Sequence, residues 1–241
     1  MKILSQILVL ILAIFLWQIS SGELVPSPKD SLLALSELYE NGGLLNDILS
    51  SLYNYFLGLF IGLFFAISLG IFFGLCPKIL SAFAPLFGFL KPISPIAYTP
   101  LIIILFGIGS KPTIFIIAYA IFFPLLQLSV SAILKTPTEL INIAKGFGAS
   151  KAQIIAYVIV PNSIFSIISG IKIAASLAWI NLVIGEMLGS QSGLGYLIID
   201  ARNQLRLDMV LGVILVIGAI GVIINFVFEL FEKSVSKRFG L

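Results

Sequence analysis

Long apolar runs alternate along the chain with short polar stretches, and these runs set the first expectation. Six of them, at about 3–20, 52–75, 93–108, 112–134, 162–187 and 209–231, each come close to the roughly 20 residues an α-helix needs to cross a bilayer's hydrocarbon core. The third is the shortest, and Gly107-Ile108-Gly109-Ser110-Lys111-Pro112 reads as a tight turn into the fourth. The pattern predicts an all-α membrane protein of about six transmembrane helices, with 1–241 forming one transmembrane domain and a polar loop at 135–161. The first run is open to two readings. Lys2, the apolar stretch and Ser20-Ser21-Gly22 fit either a retained span or a secretory signal peptide.

Composition narrows the class. The chain is 59% hydrophobic and 10% charged, with a mean hydropathy of +1.15, far too apolar for a soluble domain of this size. A single cysteine, Cys76, excludes an internal disulfide or a thiolate metal cluster. The absence of histidine removes imidazole metal sites and the commonest proton shuttle. No catalytic residue and no metal ligand set emerges. No G-x-x-x-x-G-K-[ST] phosphate loop is present either, so energy for any pumping has to come from a partner or an ion gradient. The net charge of +3 gives no reason to expect nucleic acid; its placement matters more. Residues 21–51 carry Glu23, Asp30, Glu37, Glu40 and Asp47 against Lys29, whereas Lys78, Lys91, Lys135, Lys145, Lys151, Lys233, Lys237 and Arg238 fall on the opposite side of a six-span arrangement. The positive-inside rule then puts both termini and the 135–161 loop in the cytoplasm of a multi-pass inner-membrane protein.

That loop holds the most informative segment, Glu139 to Pro161. Small residues at Ala144, Gly146, Gly148 and Ala149 allow a short helix and a turn to press closely on a partner. Pro161 suits the first turn of the next membrane helix, where its missing N–H costs nothing. The spacing Asn142-Ile143-Ala144, Gly148, Val158, Val160-Pro161 resembles the cytoplasmic coupling loop, or EAA loop, of ABC importer permease subunits. Further segments extend the likeness over nearly the whole chain: Leu24-Val25-Pro26-Ser27-Pro28, the Pro-rich Leu90–Leu101 stretch, Phe106-Gly107-Ile108-Gly109, Gly185-Glu186-Met187-Leu188 and Gly193-Leu194-Gly195-Tyr196. Together they resemble the branch that imports sulfonates, taurine, nitrate, bicarbonate and pyrimidine vitamin precursors. Two positions depart from the pattern. Asn142 stands where an acidic residue is usual, with Glu139 one turn earlier as a stand-in. Ser51-Leu52 is followed by Tyr53-Asn54-Tyr55 instead of an Arg.

The resemblance implies a type I ABC importer permease fold and a subunit that does no chemistry. Two copies would pair within the membrane lipid, and cytoplasmic ATPase subunits would hold ATP and Mg and dock on the loop through Glu139, Asn142, Ala144, Gly148 and Pro161. An extracytoplasmic substrate-binding protein would deliver a small, anionic solute. No cofactor is expected on this chain itself.

For the solute path, the fifth run places Ser169, Lys172, Ser176, Trp179, Val183 and Glu186 on one helical face. Lys172 is expected roughly 16 Å along that helix from Pro161, near mid-membrane. Lining a path and fixing helix packing are both open for this stripe, and Glu186 is read as a gate, as a contact for the binding protein or as a carboxylate at the outer water interface. Asn181, on another face, is expected to bond between helices. Pro92, Pro95 and Pro100 must interrupt the third span, giving either a broken helix at an inner gate or a kinked packing helix. Gly62, Ala66, Gly70 and Gly74 have the spacing of close helix packing. Two other functions compete. A self-sufficient secondary transporter or channel lacks the paired broken spans and acidic relay it would need. A membrane enzyme lacks any cluster of reactive side chains.

Overall fold

Capping motifs and glycine turns decide where the apolar runs become helices. The computed structural model describes residues 2–22 and 25–238, and these residues form helices joined by turns, with no strand. Helix α1 spans Lys2–Ser20, and the Trp17 indole N–H donates to the Pro26 carbonyl at 3.0 Å. Glu23 and Leu24, the latter part of the Leu24–Pro28 motif, lie outside the described residues. Helix α2, Pro28–Glu40, starts with proline in its first turn and a capping box. The Asp30 N–H donates to the Ser27 hydroxyl while the Asp30 carboxylate takes the Ser27 N–H.

The long helices follow. Helix α3 is Gly43–Leu75, α4 is Pro77–Leu90, and a 3₁₀ turn at Pro95–Tyr98 leads into α5, Thr99–Phe106. Helix α6 is Ser110–Leu134, α7 is Thr138–Gly146 and α8 is Lys151–Ile154; a π turn at Ile155–Ile159 then runs into α9, Val160–Gly189. Helices α10, Leu194–Asn203, and α11, Leu207–Arg238, complete the chain. Four stretches among the described residues are long and apolar enough to cross a membrane: Gly43–Leu75, Ser110–Leu134, Lys151–Gly189 and Leu207–Lys237. A pair bent by 78°, Pro77–Leu90 with Pro95–Phe106, supplies a fifth if it acts as one span.

The helix bounds differ from the apolar runs for local reasons. The second run is extended to Gly43 because Gly42, at φ 70, turns the chain straight into a helix. The third run does not begin at 93. It begins as α4 and breaks where Pro92 and Pro95 remove donors, so Lys91 lies at the break between α4 and the 3₁₀ turn and not in a loop ahead of the run. The fifth begins at Lys151, ten residues ahead of Pro161, because Ser150 and Gln153 form a second capping box. Pro161 does stand in the first turn of α9, as its place in the sequence suggests, but the helical course it belongs to starts earlier. The π turn precedes it, with the Val160 N–H reaching back five residues to the Ile155 carbonyl, and the wider turn makes room for the proline ring.

Glycines set the packing. Gly58, Gly62, Gly70 and Gly74 of α3 meet Ile117, Ile121, Ser129 and Ile133 of α6 in the same order, so the two helices run parallel. A Cβ on Gly62 would stand 2.5 Å from Ile121 Cδ1, and one on Gly58 would stand 2.8 Å from Ile117 Cβ. The expected small-residue stripe is thus a contact surface. Helix α9 runs antiparallel to α6, with Gly170 near Leu125 and Gly185 near Thr113, and α11 runs antiparallel to α9. Tyr55, Ile121, Leu125, Ala178 and Leu182 are buried at the centre. On the side of α10, Arg206 clasps α2 to α11. It donates to both Glu37 oxygens at 3.3 and 2.8 Å and pairs with Asp208 at 2.8 Å.

Candidate functional site: a coupling face and the polar faces of the long helices

The coupling segment is built from two adjoining caps. At the end of α7 the Gly148 N–H donates to the Lys145 carbonyl at 2.9 Å and the Ala149 N–H to the Ala144 carbonyl at 3.0 Å. This is a Schellman motif, and it needs a left-handed residue at Gly148, whose φ is +77. Nothing lies within 4 Å of a Cβ placed there. Within the chain, then, Gly148 is selected by backbone conformation; the free space above it is available to a partner. Ser150 starts α8 two residues later. Glu139 and Asn142 are both exposed, one turn apart, with Glu139 in the first turn of α7 where a carboxylate suits the helix dipole. Around them stand Leu140, Ile143, Phe147 and Tyr157, of which Phe147 is 88% and Tyr157 is 78% exposed. Side chains this large and apolar, gathered on one short helix–turn–helix, leave a surface open to a partner or to lipid. Ala144, half-buried, lies with Gly148 in a shallow recess beneath Phe147 and Tyr157.

The polar stripe of α9 is spent on α11. Glu232 accepts from the Ser169 hydroxyl at 2.6 Å and from the Lys172 ammonium at 3.0 Å. Ser176 donates to Asn225 Oδ1 at 2.6 Å, and the Trp179 indole donates to the Ile217 carbonyl at 3.2 Å. The indole also lies against Gly221 and edge-on to Tyr55, at 5.6 Å between centroids. These residues join two helices of one protomer, and Lys172 carries no unbalanced charge. Asn181 bonds within its own helix, donating to the Leu177 carbonyl at 2.8 Å.

Glu186 is neither a gate on an open path nor an interfacial carboxylate: it is 1% exposed. Its Oε2 accepts from the Ser51 hydroxyl at 2.8 Å and the Gly195 N–H at 3.1 Å, and its Oε1 from Asn54 Nδ2 at 3.2 Å. Ser51 in turn accepts the Leu194 N–H at 2.8 Å, and Asp47 accepts the Gly193 N–H at 2.7 Å. The cluster binds the start of α3, the end of α9 and the start of α10. Asp47, Ser51 and Asn54 recur at helical spacing, which was the available signal for this partnership. The departure at Tyr53-Asn54-Tyr55 has a structural use here, because Asn54 and Tyr55 are both buried and bonded.

At the break, Pro92 is exposed, Pro95 opens the 3₁₀ turn and Pro100 lies in the first turn of α5. Lys91 donates to Gln127 Oε1, and the Tyr119 hydroxyl donates to the Leu90 carbonyl at 3.0 Å. Tyr98 and Tyr119 stack edge-on at 5.2 Å. Neither Lys91 nor Gln127 was singled out in the sequence as part of a site.

An all-helical membrane protein with a capped, apolar coupling segment and a bent third span fits the membrane component of an importer. The model of the binding-protein-dependent transport system inner membrane component family matches residues 31–240, and the chain belongs to that family. TauC of Escherichia coli, the taurine transport system permease protein, is 31% identical over 92% of this chain and 81% of its own length. SsuC of Bacillus subtilis, named for aliphatic sulfonates transport, is 28% identical over 93% of this chain and 83% of its own. MJ0413 of Methanocaldococcus jannaschii, named as an ABC transporter permease, is 40% identical, but over 56% of this chain and 51% of that protein. Among solved structures, an inward-facing form of the MetNI methionine ABC transporter superposes with a TM-score of 0.69 at 17% identity. The match covers 80% of this chain and 95% of that one, so the fold is that of a type I ABC importer permease. The protein is a multi-pass component of the inner membrane.

Proposed function

We propose that this chain forms the transmembrane path of an ATP-driven importer for a small organic anion of the sulfonate class. Two copies pair in the membrane, both termini face the cytoplasm, and an extracytoplasmic binding protein delivers the solute. Cytoplasmic ATPase subunits dock on α7 and α8 and hold the nucleotide and Mg; this chain has no phosphate loop of its own. The observation that carries the reading is the coupling face. Phe147 and Tyr157 project almost fully exposed beside a Schellman turn whose Gly148 leaves room for a partner, within a chain that matches the permease family over 31–240. The sulfonate class rests on the names of TauC and SsuC.

Docking makes Gly148 the position to test. A Gly148→Trp change forces an indole into the left-handed region and into the docking recess, so ATP-driven uptake of radiolabelled taurine by the reconstituted complex should vanish while the chain still inserts in the membrane. Uptake at the unaltered rate contradicts the assignment of α7 and α8 as the coupling face. Purified without any ATPase and still moving solute down an ion gradient, the protein would instead be a secondary transporter.

A further inference from the structure

The break in the third span places an uncompensated cation at membrane depth. Lys91 bonds the neutral Gln127, and among the described residues no carboxylate pairs with it; the ion pairs there engage Lys172, Arg206 and Lys233. Gln127 fixes the depth. It lies about 10 Å along α6 from Leu134, the inner end of that helix, and so well inside the hydrocarbon thickness. The backbone around Lys91 is irregular between Leu90 and Pro95, yet Lys91, Pro92 and Ser94 are exposed on the protomer. Irregular backbone at such depth persists only where protein covers it or water reaches it. A lysine ammonium held by a neutral amide favours water, since an unpaired charge is costly against lipid. Alongside lies a cavity between α4 and α6 whose walls, including Phe87 and Phe123, are apolar apart from Lys91 and Gln127.

We infer that Lys91, positioned by Gln127 at the break, is the specificity-determining charge that the translocated anion meets in the membrane. This rests on the importer reading for the existence of a solute path. It assigns the anion preference to a lysine other than Lys172, whose charge Glu232 already balances. The ligand chemistry is a single compact anionic head, such as a sulfonate or carboxylate, with the apolar cavity wall beside it. Gln127 acts through Lys91, as a positioning residue.

The test reads the local potential directly. In the full chain, carrying Cys76→Ser and Ser94→Cys, the cysteine is treated in membrane vesicles with an anionic ethylsulfonate methanethiosulfonate and its cationic trimethylammonium counterpart. Ser94 is three residues from Lys91, within about 11 Å along the chain. With Lys91 present the anionic reagent reacts faster. Lys91→Met should lower the anion-to-cation rate ratio roughly tenfold, on the Coulomb energy of a charge at that range in a partly aqueous setting. Lys91→Arg should preserve the ratio, Gln127→Leu should reduce it in part, and Lys172→Met should leave it unchanged. Ala84→Cys, in the cavity wall, gives a second reporter should Ser94→Cys disturb the turn.

Several outcomes overturn the proposal: both cysteines inert to both reagents, which is the lipid-facing result; a ratio indifferent to Lys91→Met; or an equal response to Lys172→Met. Taurine uptake by the assembled transporter is measured in parallel. If the unaltered complex moves no taurine, the sulfonate reading fails, while the reagent ratios still decide the role of Lys91.

Discussion

Glu186 shows how much one side chain can organise. Its carboxylate gathers three donors from two other elements in a fully buried pocket, and Gly193 and Gly195 are required beside it because a Cβ at either would collide with it or with the adjoining α9 backbone. Replacing it by leucine strands the Ser51, Asn54 and Gly195 donors, which should cost about 2–5 kcal/mol in detergent-solubilised stability. Glu186→Gln keeps the shape and one acceptor and should cost less; thermal unfolding of the two variants side by side checks the order. At Gly148 the penalty is of another kind. Gly148→Ala meets no neighbour, so its cost is the left-handed backbone alone, about 1–2 kcal/mol and confined to the loop. Hydrogen exchange should therefore show faster opening at Phe147–Ala149 and unchanged protection in α6 and α9. The sequence made Gly148 conspicuous by spacing but not by conformation. For Glu186 it suggested an exposed carboxylate, because burial depended on Ser51 and Asn54, more than 130 residues away in the chain.

Among the elements, the parallel α3–α6 pair was the most legible, because its glycines repeat at helical spacing and the partner surface needs only to be apolar. Gly62→Leu should force the helices apart and lose the folded protein from the membrane fraction, while Gly218→Leu, where the site is open, should be tolerated. The α9–α11 seam was half-legible: the stripe of Ser169, Lys172, Ser176 and Trp179 is plain in the sequence, but its partners Glu232, Asn225 and Ile217 are spaced along a helix read only as apolar. Lys172→Met and Glu232→Leu should each destabilise the pair, and the double variant should recover much of the loss, since two absent charges need no partner. Thermal stability across this mutant cycle gives the coupling. At the break, Pro92, Pro95 and Pro100 made the interruption legible, but not the place of Lys91, which irregular backbone hides in what looks like a loop. The α2–α11 clasp carries its own pH response. Hydrogen bonds from Arg206 hold the Glu37 carboxyl below the usual carboxylate range, so the contribution of the clasp is complete above that range and is lost as pH falls through the depressed value. Hydrogen exchange in α2 should accelerate on acidification below the usual carboxylate range, and Glu37→Gln should weaken that dependence, the Asp30 cap of α2 supplying the rest.

Across the whole molecule, polar groups divide into those the protomer satisfies and those it leaves for others. The buried Glu186 cluster and the α9–α11 seam belong to the first kind and the Lys91 break to the second, and the exposed apolar side chains of α7 and the turn after it are likewise left open. The proposed function uses such a division: rigid connections would carry the ATPase motion to the helices, and the open surfaces would receive the ATPase and the solute. Family and fold were readable because the motif order survives along the chain; which lysine stays uncompensated was not, because that depends on tertiary pairing. The most direct measurement is affinity purification of the tagged protein in mild detergent, with mass spectrometry of its partners in the unaltered chain and in Gly148→Trp. The account predicts a stoichiometric ATPase with the unaltered chain and its loss from the variant. A lone protein in both, reproducible in several detergents and lipids, would contradict it.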